Sequence, residues 1–357
     1  MNSFRFALIV TAAPLLALAQ PAKPFLLDAE PRTAAQLDAE IKKALAAPIR
    51  TVVDKPKPSP TGDAHDYVSY ARYYWPDPSK PDGLPYVSRD GHHNEEQVAA
   101  GDRGRLGKFC DTVTVLALGW AKDRREDCAR RAGEWIRAWL LAPETRMRPA
   151  LDYAQVRLGH NRNLGNPAGV LDSRGLAWVA DAVAVLHGSP ALSADEERAV
   201  RMWFEEFYRW LETAPNAKKE HAATNNHGSW FLVQAAGIAL YLGREDDARR
   251  LCEENQARIA AQIQPNGSQP DELRRQDALG YSRFNLEAQV LVARIGRRVG
   301  VDLWNYEAPN GGSLKKALAY IAPYNADPSK WPGNQREKLP PGFLDALLAQ
   351  AAELDQP

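Results

Sequence analysis

Cysteine is nearly absent from this 357-residue chain. Cys110, Cys128 and Cys252 are an odd number, and no two stand in the C-x-x-C spacing of a metal site. At most one disulfide can form. Cys110 and Cys128 fall on neighbouring predicted helices and are the pair that can be drawn, although cysteines scattered through helical patterns are more often buried free thiols. Net charge is missing as well. Lys plus Arg and Asp plus Glu number 45 each, so no overall field draws the molecule to nucleic acid or to an anionic membrane. Attraction for a charged ligand has to be local. Alternating strand-type runs are hard to find, no fixed-period repeat stands out, and no long flexible linker divides the chain.

Long apolar runs are also lacking, with one exception. Phe6 to Leu18 is an apolar run that follows Arg5 and ends in Ala17-Leu18-Ala19 before Gln20. That pattern reads as a secretory signal peptide cleaved after Ala19. It falls short of the ~20 residues a membrane span needs. No Cys sits at the cleavage point, so a lipoprotein is not indicated. The expectation is an exported protein, periplasmic or else extracellular and free of the membrane, with residues 20–357 as one domain. Oligomeric state is not legible.

What is present is material for a large core: 45% hydrophobic residues and ten Trp against 25% charged, which excludes global disorder. From Thr33 onward the apolar spacing is helical. Thr33 caps a helix reaching Ala47, with Leu37, Ile41 and Leu45 along one face. Further helices are predicted over 106–122, 126–141, 173–187, 193–213, 226–242, 245–263, 281–299, 313–321 and 341–353, separated by Gly- and Pro-containing breakers. The fold class is all-α, an array of antiparallel helical hairpins. Periodicity does not distinguish a closed ring from an open solenoid. Two segments, 48–105 and 144–171, interrupt the helical pattern, and segments this long within a compact domain tend to border a functional site.

Two stretches carry chemistry. Asn225-Asn226-His227-Gly228-Ser229-Trp230 opens an apolar helix, where free backbone N–H groups and the helix dipole favour an anion such as a carboxylate. The plainer reading is that Asn225 or Asn226 caps the helix and His227 is a packed polar residue. Fifty residues on, Glu272-Leu273-Arg274-Arg275 leads to Tyr281. Arg275 offers a planar guanidinium that grips a carboxylate, and Tyr281 a phenol able to give or take a proton. Read separately, they are equally a surface ion pair and a core aromatic.

Taken together, N-N-H-x-x-W at 225–230, E-L-x-R at 272–275 and Y-S-x-F-N-L-E-A at 281–288 resemble the alginate-lyase-domain superfamily of polysaccharide lyases. Upstream, His65-Asp66-Tyr67-Val68-Ser69, Tyr74-Trp75-Pro76-Asp77-Pro78 and Pro85-Tyr86-Val87-Ser88-Arg89-Asp90-Gly91 are similar to further segments of that family. The resemblance runs from about residue 65 to at least 331. It implies an (α/α) toroid, an incomplete barrel of helical hairpins with a cleft across its mouth. It also implies a cofactor-free, metal-independent β-elimination on an anionic polysaccharide. The family's carboxylate-neutralising Asn, His and Arg fall on Asn226, His227 and Arg275, and its catalytic Tyr on Tyr281. Some relatives place the Arg seven residues before the Tyr, which selects Arg274 instead. Tyr73-Tyr74-Trp75 departs from the aromatic pattern expected before the Pro.

β-Elimination needs this set of groups. The proton at C5 is weakly acidic and sits beside a carboxylate whose charge opposes carbanion formation, so that charge has to be offset in the transition state. A base then removes the proton, and an acid protonates the departing O4. In D-mannuronate and D-glucuronate both positions lie on one face, so Tyr281 can serve both, or His227 can be the base and Tyr281 the acid. In L-guluronate two groups are required. Candidate substrate-binding residues are Asn225, Arg89, Tyr74, Trp75, Tyr153, His160, Asn161, Arg162 and Arg274, with Trp331 a second stacking candidate. Ordinary loop stabilisation is their alternative. His92-His93 with Asp90 fits no strong metal spacing. The rival functions are a non-catalytic carbohydrate-binding protein and a glycoside hydrolase on the same fold. A hydrolase needs paired carboxylates, and Glu95, Glu96, Asp172, Glu272 and Asp277 form no recognisable pair. Alginate, mannuronate-rich blocks and glucuronan all suit the same groups.

Overall fold

A computed structural model describes residues 24–29 and 32–356, and the expected signal peptide lies outside the described residues. The chain is mostly helical. Its helices are α1 Ala34–Ala46, α2 Glu95–Ala99, α3 Arg103–Asp123, α4 Glu126–Ile136, α5 Leu176–Val185, α6 Ala194–Thr213, α7 Pro215–His221, α8 Asn226–Tyr241, α9 Glu245–Gln262, α10 Pro270–Leu273, α11 Ala278–Arg298, α12 Leu314–Ile321 and α13 Asp345–Leu354. Local chemistry accounts for many boundaries. Thr33 and Ser193 each form a reciprocal capping box, with Gln36 and Glu196, at the starts of α1 and α6. The predicted 126–141 helix is α4 followed by one π turn, Arg137–Leu141.

Packing explains which helices lie inside. Thirteen of the sixteen residues of α8 are buried, as expected for a helix apolar all round. It packs against α5, α7, α9 and α11, while α3 packs against α1, α4 and α5. Cys110, Cys128 and Cys252 are all buried and unpaired, so the drawn Cys110–Cys128 bridge does not form. Cys110 lies against Gly175 and Cys128 against Gly119.

The two irregular segments contain short strands that local periodicity does not reveal. β1 Val68–Tyr70 pairs in parallel with β4 Tyr153–Val156, joining segment 48–105 to segment 144–171. β2 Tyr74–Trp75 pairs antiparallel with β3 Val87–Ser88. Buried Asp172 locks the first pair. Its carboxylate accepts from Tyr67 Oη at 3.1 Å, Ser69 Oγ at 2.5 Å and Gln155 Nε2 at 2.9 Å. Beneath them, Lys55 and Asp102 form a buried ion pair at 3.4 Å. Lys55 also donates to the carbonyls of Val52 and Ala64, which satisfies the remaining protons of a desolvated ammonium.

Candidate active site

The first turn of α8 presents the amide and imidazole. Asn225 is its cap, with Oδ1 accepting the His227 N–H at 3.2 Å, so capping falls to Asn225 and releases Asn226. Asn226 is buried and held by Glu272 of α10 at two points: its backbone N–H at 2.9 Å and Nδ2 at 2.8 Å. One amide hydrogen of Asn226 stays available, and Oδ1 has no partner among the described residues. His227 Nδ1 lies 2.5 Å from Oε1 of buried Glu220, at the end of α7. Gly228 permits this start of α8, since a side chain there would collide with the Ala223 carbonyl and the Arg258 guanidinium.

Arg275 follows Glu272 by one turn, its N–H bonded to the Glu272 carbonyl at 3.1 Å. Its guanidinium carbon lies 3.8 Å from the centroid of the Tyr281 ring. Nη2 donates to Tyr281 Oη at 2.9 Å and to Asp90 Oδ1 at 2.9 Å. Tyr281 sits in the first turn of α11, not at its start, with its N–H bonded to the Asp277 carbonyl at 2.9 Å. Its hydroxyl also meets Tyr73 Oη at 3.0 Å. Burial pushes the Tyr281 phenol above its ordinary value, and the hydrogen bond to Tyr73 pushes the same way, while the cations Arg275 and Arg72 pull it down. At neutral pH the resting group is the phenol, beside guanidinium charge that eases its ionisation. Glu272 connects the two halves, with both Arg275 and His227 within electrostatic reach of its carboxylate.

The wider candidates divide. Arg274 points away: its side chain is 74% exposed and paired with Asp271 at 2.8 Å, which leaves Arg275 as the arginine beside Tyr281. Trp331 is buried, with Tyr320 and Tyr324 edge-on to its ring, so it is no exposed stacking platform. Tyr74 lies between Arg157, 4.7 Å from its ring centroid, and His160. His160 Nε2 is bonded to the Tyr86 carbonyl at 2.7 Å. Arg89 is exposed over the Trp75 ring, and the Trp75 indole N–H donates to the His92 carbonyl. Tyr153 is half-buried in β4. Asn161 and Arg162 are exposed, within three consecutive left-handed residues, 161–163. Among the described residues no cluster of three His, Cys, Asp or Glu is placed to hold a metal ion.

Sequence reasoning missed five residues. Tyr73, beside the quoted Tyr74-Trp75, reaches the Tyr281 hydroxyl. Glu220 had no motif to mark it. Arg72 and Arg103 lie within electrostatic reach of Arg174, as does Asp172, which Arg103 also meets at 3.6 Å, and Arg174 stacks over Trp230 and Phe284. Their convergence is tertiary, and only the fold brings it about. Three of the five carboxylates considered for hydrolysis are otherwise engaged: Asp172 and Glu272 as described, and Asp277 with the N–H groups of Arg336 and Glu337.

The family model described as alginate lyase matches residues 51–331. A solved alginate lyase from Bacteroides ovatus is 34% identical, with a TM-score of 0.84 over 90% of this chain and 89% of that one. Alginate lyase A1-III from a Sphingomonas species is 15% identical, with a TM-score of 0.58 over 96% of this chain and 92% of that one. A variant of A1-III solved with a tetrasaccharide gives the same identity, score and coverage. At that identity the A1-III structures speak for the fold alone. No curated protein is similar enough in sequence to count as a relative.

Proposed function

The chain belongs to the alginate lyase family and is a polysaccharide lyase, and from that premise we propose that it cleaves a 4-linked polyuronate by β-elimination, leaving 4,5-unsaturated uronate ends. The polymer is mannuronate-rich alginate or glucuronan. In this reading the protein is exported to the periplasm, residues 20–357 form a single domain, and the helical hairpins make up an (α/α) toroid with the cleft at its mouth.

One contact carries the reading. Arg275 stacks on Tyr281 and donates to its hydroxyl at 2.9 Å, coupling a carboxylate-binding cation to a proton-transfer group. Asn226, His227 and Arg275 offset the uronate carboxylate, so that charge moving toward it as the C5 proton leaves is stabilised more in the transition state than in the ground state. Tyr281, as phenolate, takes the C5 proton. As phenol it then returns a proton to O4 on the same face while the C4–O4 bond breaks and the C4–C5 double bond forms. On L-guluronate the two positions lie on opposite faces, and His227 takes the base's part.

The test is absorbance of the unsaturated uronate from poly-mannuronate, poly-guluronate and glucuronan, with wild type and Tyr281→Phe. Absorbance should rise with wild type on poly-mannuronate or glucuronan and be lost in the variant. New reducing ends without that absorbance would mean hydrolysis, and binding without cleavage of any polyuronate would mean a carbohydrate-binding protein.

A further inference from the structure

Glu220 has no role in the reaction as written, yet it is 3% exposed and stands 2.5 Å from His227 Nδ1. A carboxylate is not buried without a partner, and among the described residues the imidazole is the one side chain bonded to it. His227 Nε2 has no hydrogen-bond partner among the described residues, and its side chain is 23% exposed, so this is the nitrogen left for a ligand. We propose that Glu220 is a positioning residue for the elimination: by receiving the Nδ1–H of His227 it fixes the tautomer and ring orientation that present Nε2 to the uronate. This rests on the reading above that His227 acts on the substrate carboxylate.

The physical reason is that a neutral imidazole has one donor and one acceptor nitrogen, and the hydrogen bond made by one decides what the other offers. Bonded to Glu220 through Nδ1–H, His227 offers Nε2 as a lone pair when neutral and as N–H when protonated. Either way the ring orientation is set by the Nδ1 contact, so Nε2 is the nitrogen that faces the substrate. Other charges share this corner. Asp172, from the turn before α5, acts on Glu220. Glu272 of α10 is within electrostatic reach of His227. Arg258 of α9 donates to the carbonyls of His221 and Ala223, and Arg174 lines the same small void as Glu220. Burial pushes the Glu220 carboxyl up, and His227 is the first influence pulling it back. Its hydrogen bond is separate from those of the Glu272–Asn226 clamp, which bear on the neighbouring residue.

The experiment pairs Glu220→Gln, which keeps the shape and removes the charge, with Glu220→Asp, which keeps the charge and withdraws it. Each is first matched to wild type by circular dichroism and thermal melting. For Glu220→Gln, kcat should fall by about tenfold to a hundredfold, part of the 10²–10³ that one donor to developing charge contributes, with KM changed far less. Glu220→Asp should recover part of the lost kcat. Nitrogen-15 spectra, with the signal assigned through His227→Gln, should show the Nδ1–H tautomer in wild type and its loss or weakening in Glu220→Gln. An Nε2–H tautomer in wild type, or a folded Glu220→Gln with unchanged kcat, would overturn the assignment. A wild type inactive on every polyuronate would remove the function reading instead, and the nitrogen spectra would still decide the role given to Glu220.

Discussion

Neighbouring arginines separate sharply once their surroundings are compared. Arg274 is exposed and paired with Asp271 in the next turn back, a pair of the kind worth about 0–1 kcal/mol. Arg275 is half-buried, stacked on Tyr281 and bonded to its hydroxyl. Arg275→Ala should therefore lower kcat on a polyuronate by about 10² to 10³, the usual effect of losing one donor to developing charge. Arg274→Ala should stay within about twofold. The pH profile should respond too. The guanidinium pulls the Tyr281 phenol down against its burial, so without it the ionisation moves higher, and activity that depends on phenolate should rise at higher pH than in wild type. Equal losses in the two alanine variants, measured as initial rates of absorbance, would contradict this division.

Helix positions were legible where the signal was local. Thr33 and Ser193 announce their helices by capping chemistry, and Asn225 does so for α8. The start of α11 was not. Asp277-Ala278 is held by residues 334–337, through the Ala278 N–H to Asn334 and the Asp277 carboxylate to Arg336 and Glu337, and the helix begins three residues before the predicted start at 281. β1 and β4 pair across 85 residues, and α7, although Pro215 sits at its first turn, is too short for periodicity. The same non-local logic governs segment 71–94, which reaches the site through Tyr73 on Tyr281 and Asp90 on Arg275 and is strapped down by Arg336 on the Gly91 carbonyl. Asp90 offers Arg275 the group the substrate would offer, a carboxylate. Asp90 is about half exposed, so that competition is weak and screened. Asp90→Asn should lower KM by about two- to fivefold at low salt, with the difference fading as salt rises. A raised KM would instead mean that the Asp90 contact belongs to the closed, substrate-holding arrangement.

At the scale of the whole molecule, the two ends of the described chain meet on the helices that carry the site. Arg294 and Arg298 of α11 hold Asp28 and the Pro24 carbonyl, and Arg294 and Arg297 hold Glu353 and the end of α13. The deepest tie is Asp181 of α5. One of its oxygens accepts the consecutive N–H groups of Phe25, Leu26 and Leu27 at 3.0, 2.8 and 2.9 Å, and the other has no partner among the described residues. Burial, opposed by those three donors, leaves the carboxyl pushed up to about 6, against roughly 3.9 in an unfolded chain. The folded state thus holds the proton more tightly. Its contribution is fully present below about pH 4 and is lost as pH rises through about 6, a change on the order of 3 kcal/mol for two units of displacement. Asp181→Asn keeps one acceptor oxygen and cannot ionise. Asp102, also pushed up to about 6 by burial, titrates in both proteins and cancels in the comparison. Urea unfolding of the two at pH 4, 5, 6 and 7 should therefore show the variant gaining on wild type across that interval. A stability difference independent of pH would mean that the three amide donors keep Asp181 ionised throughout, and that the clasp on the first described residues is a fixed anion.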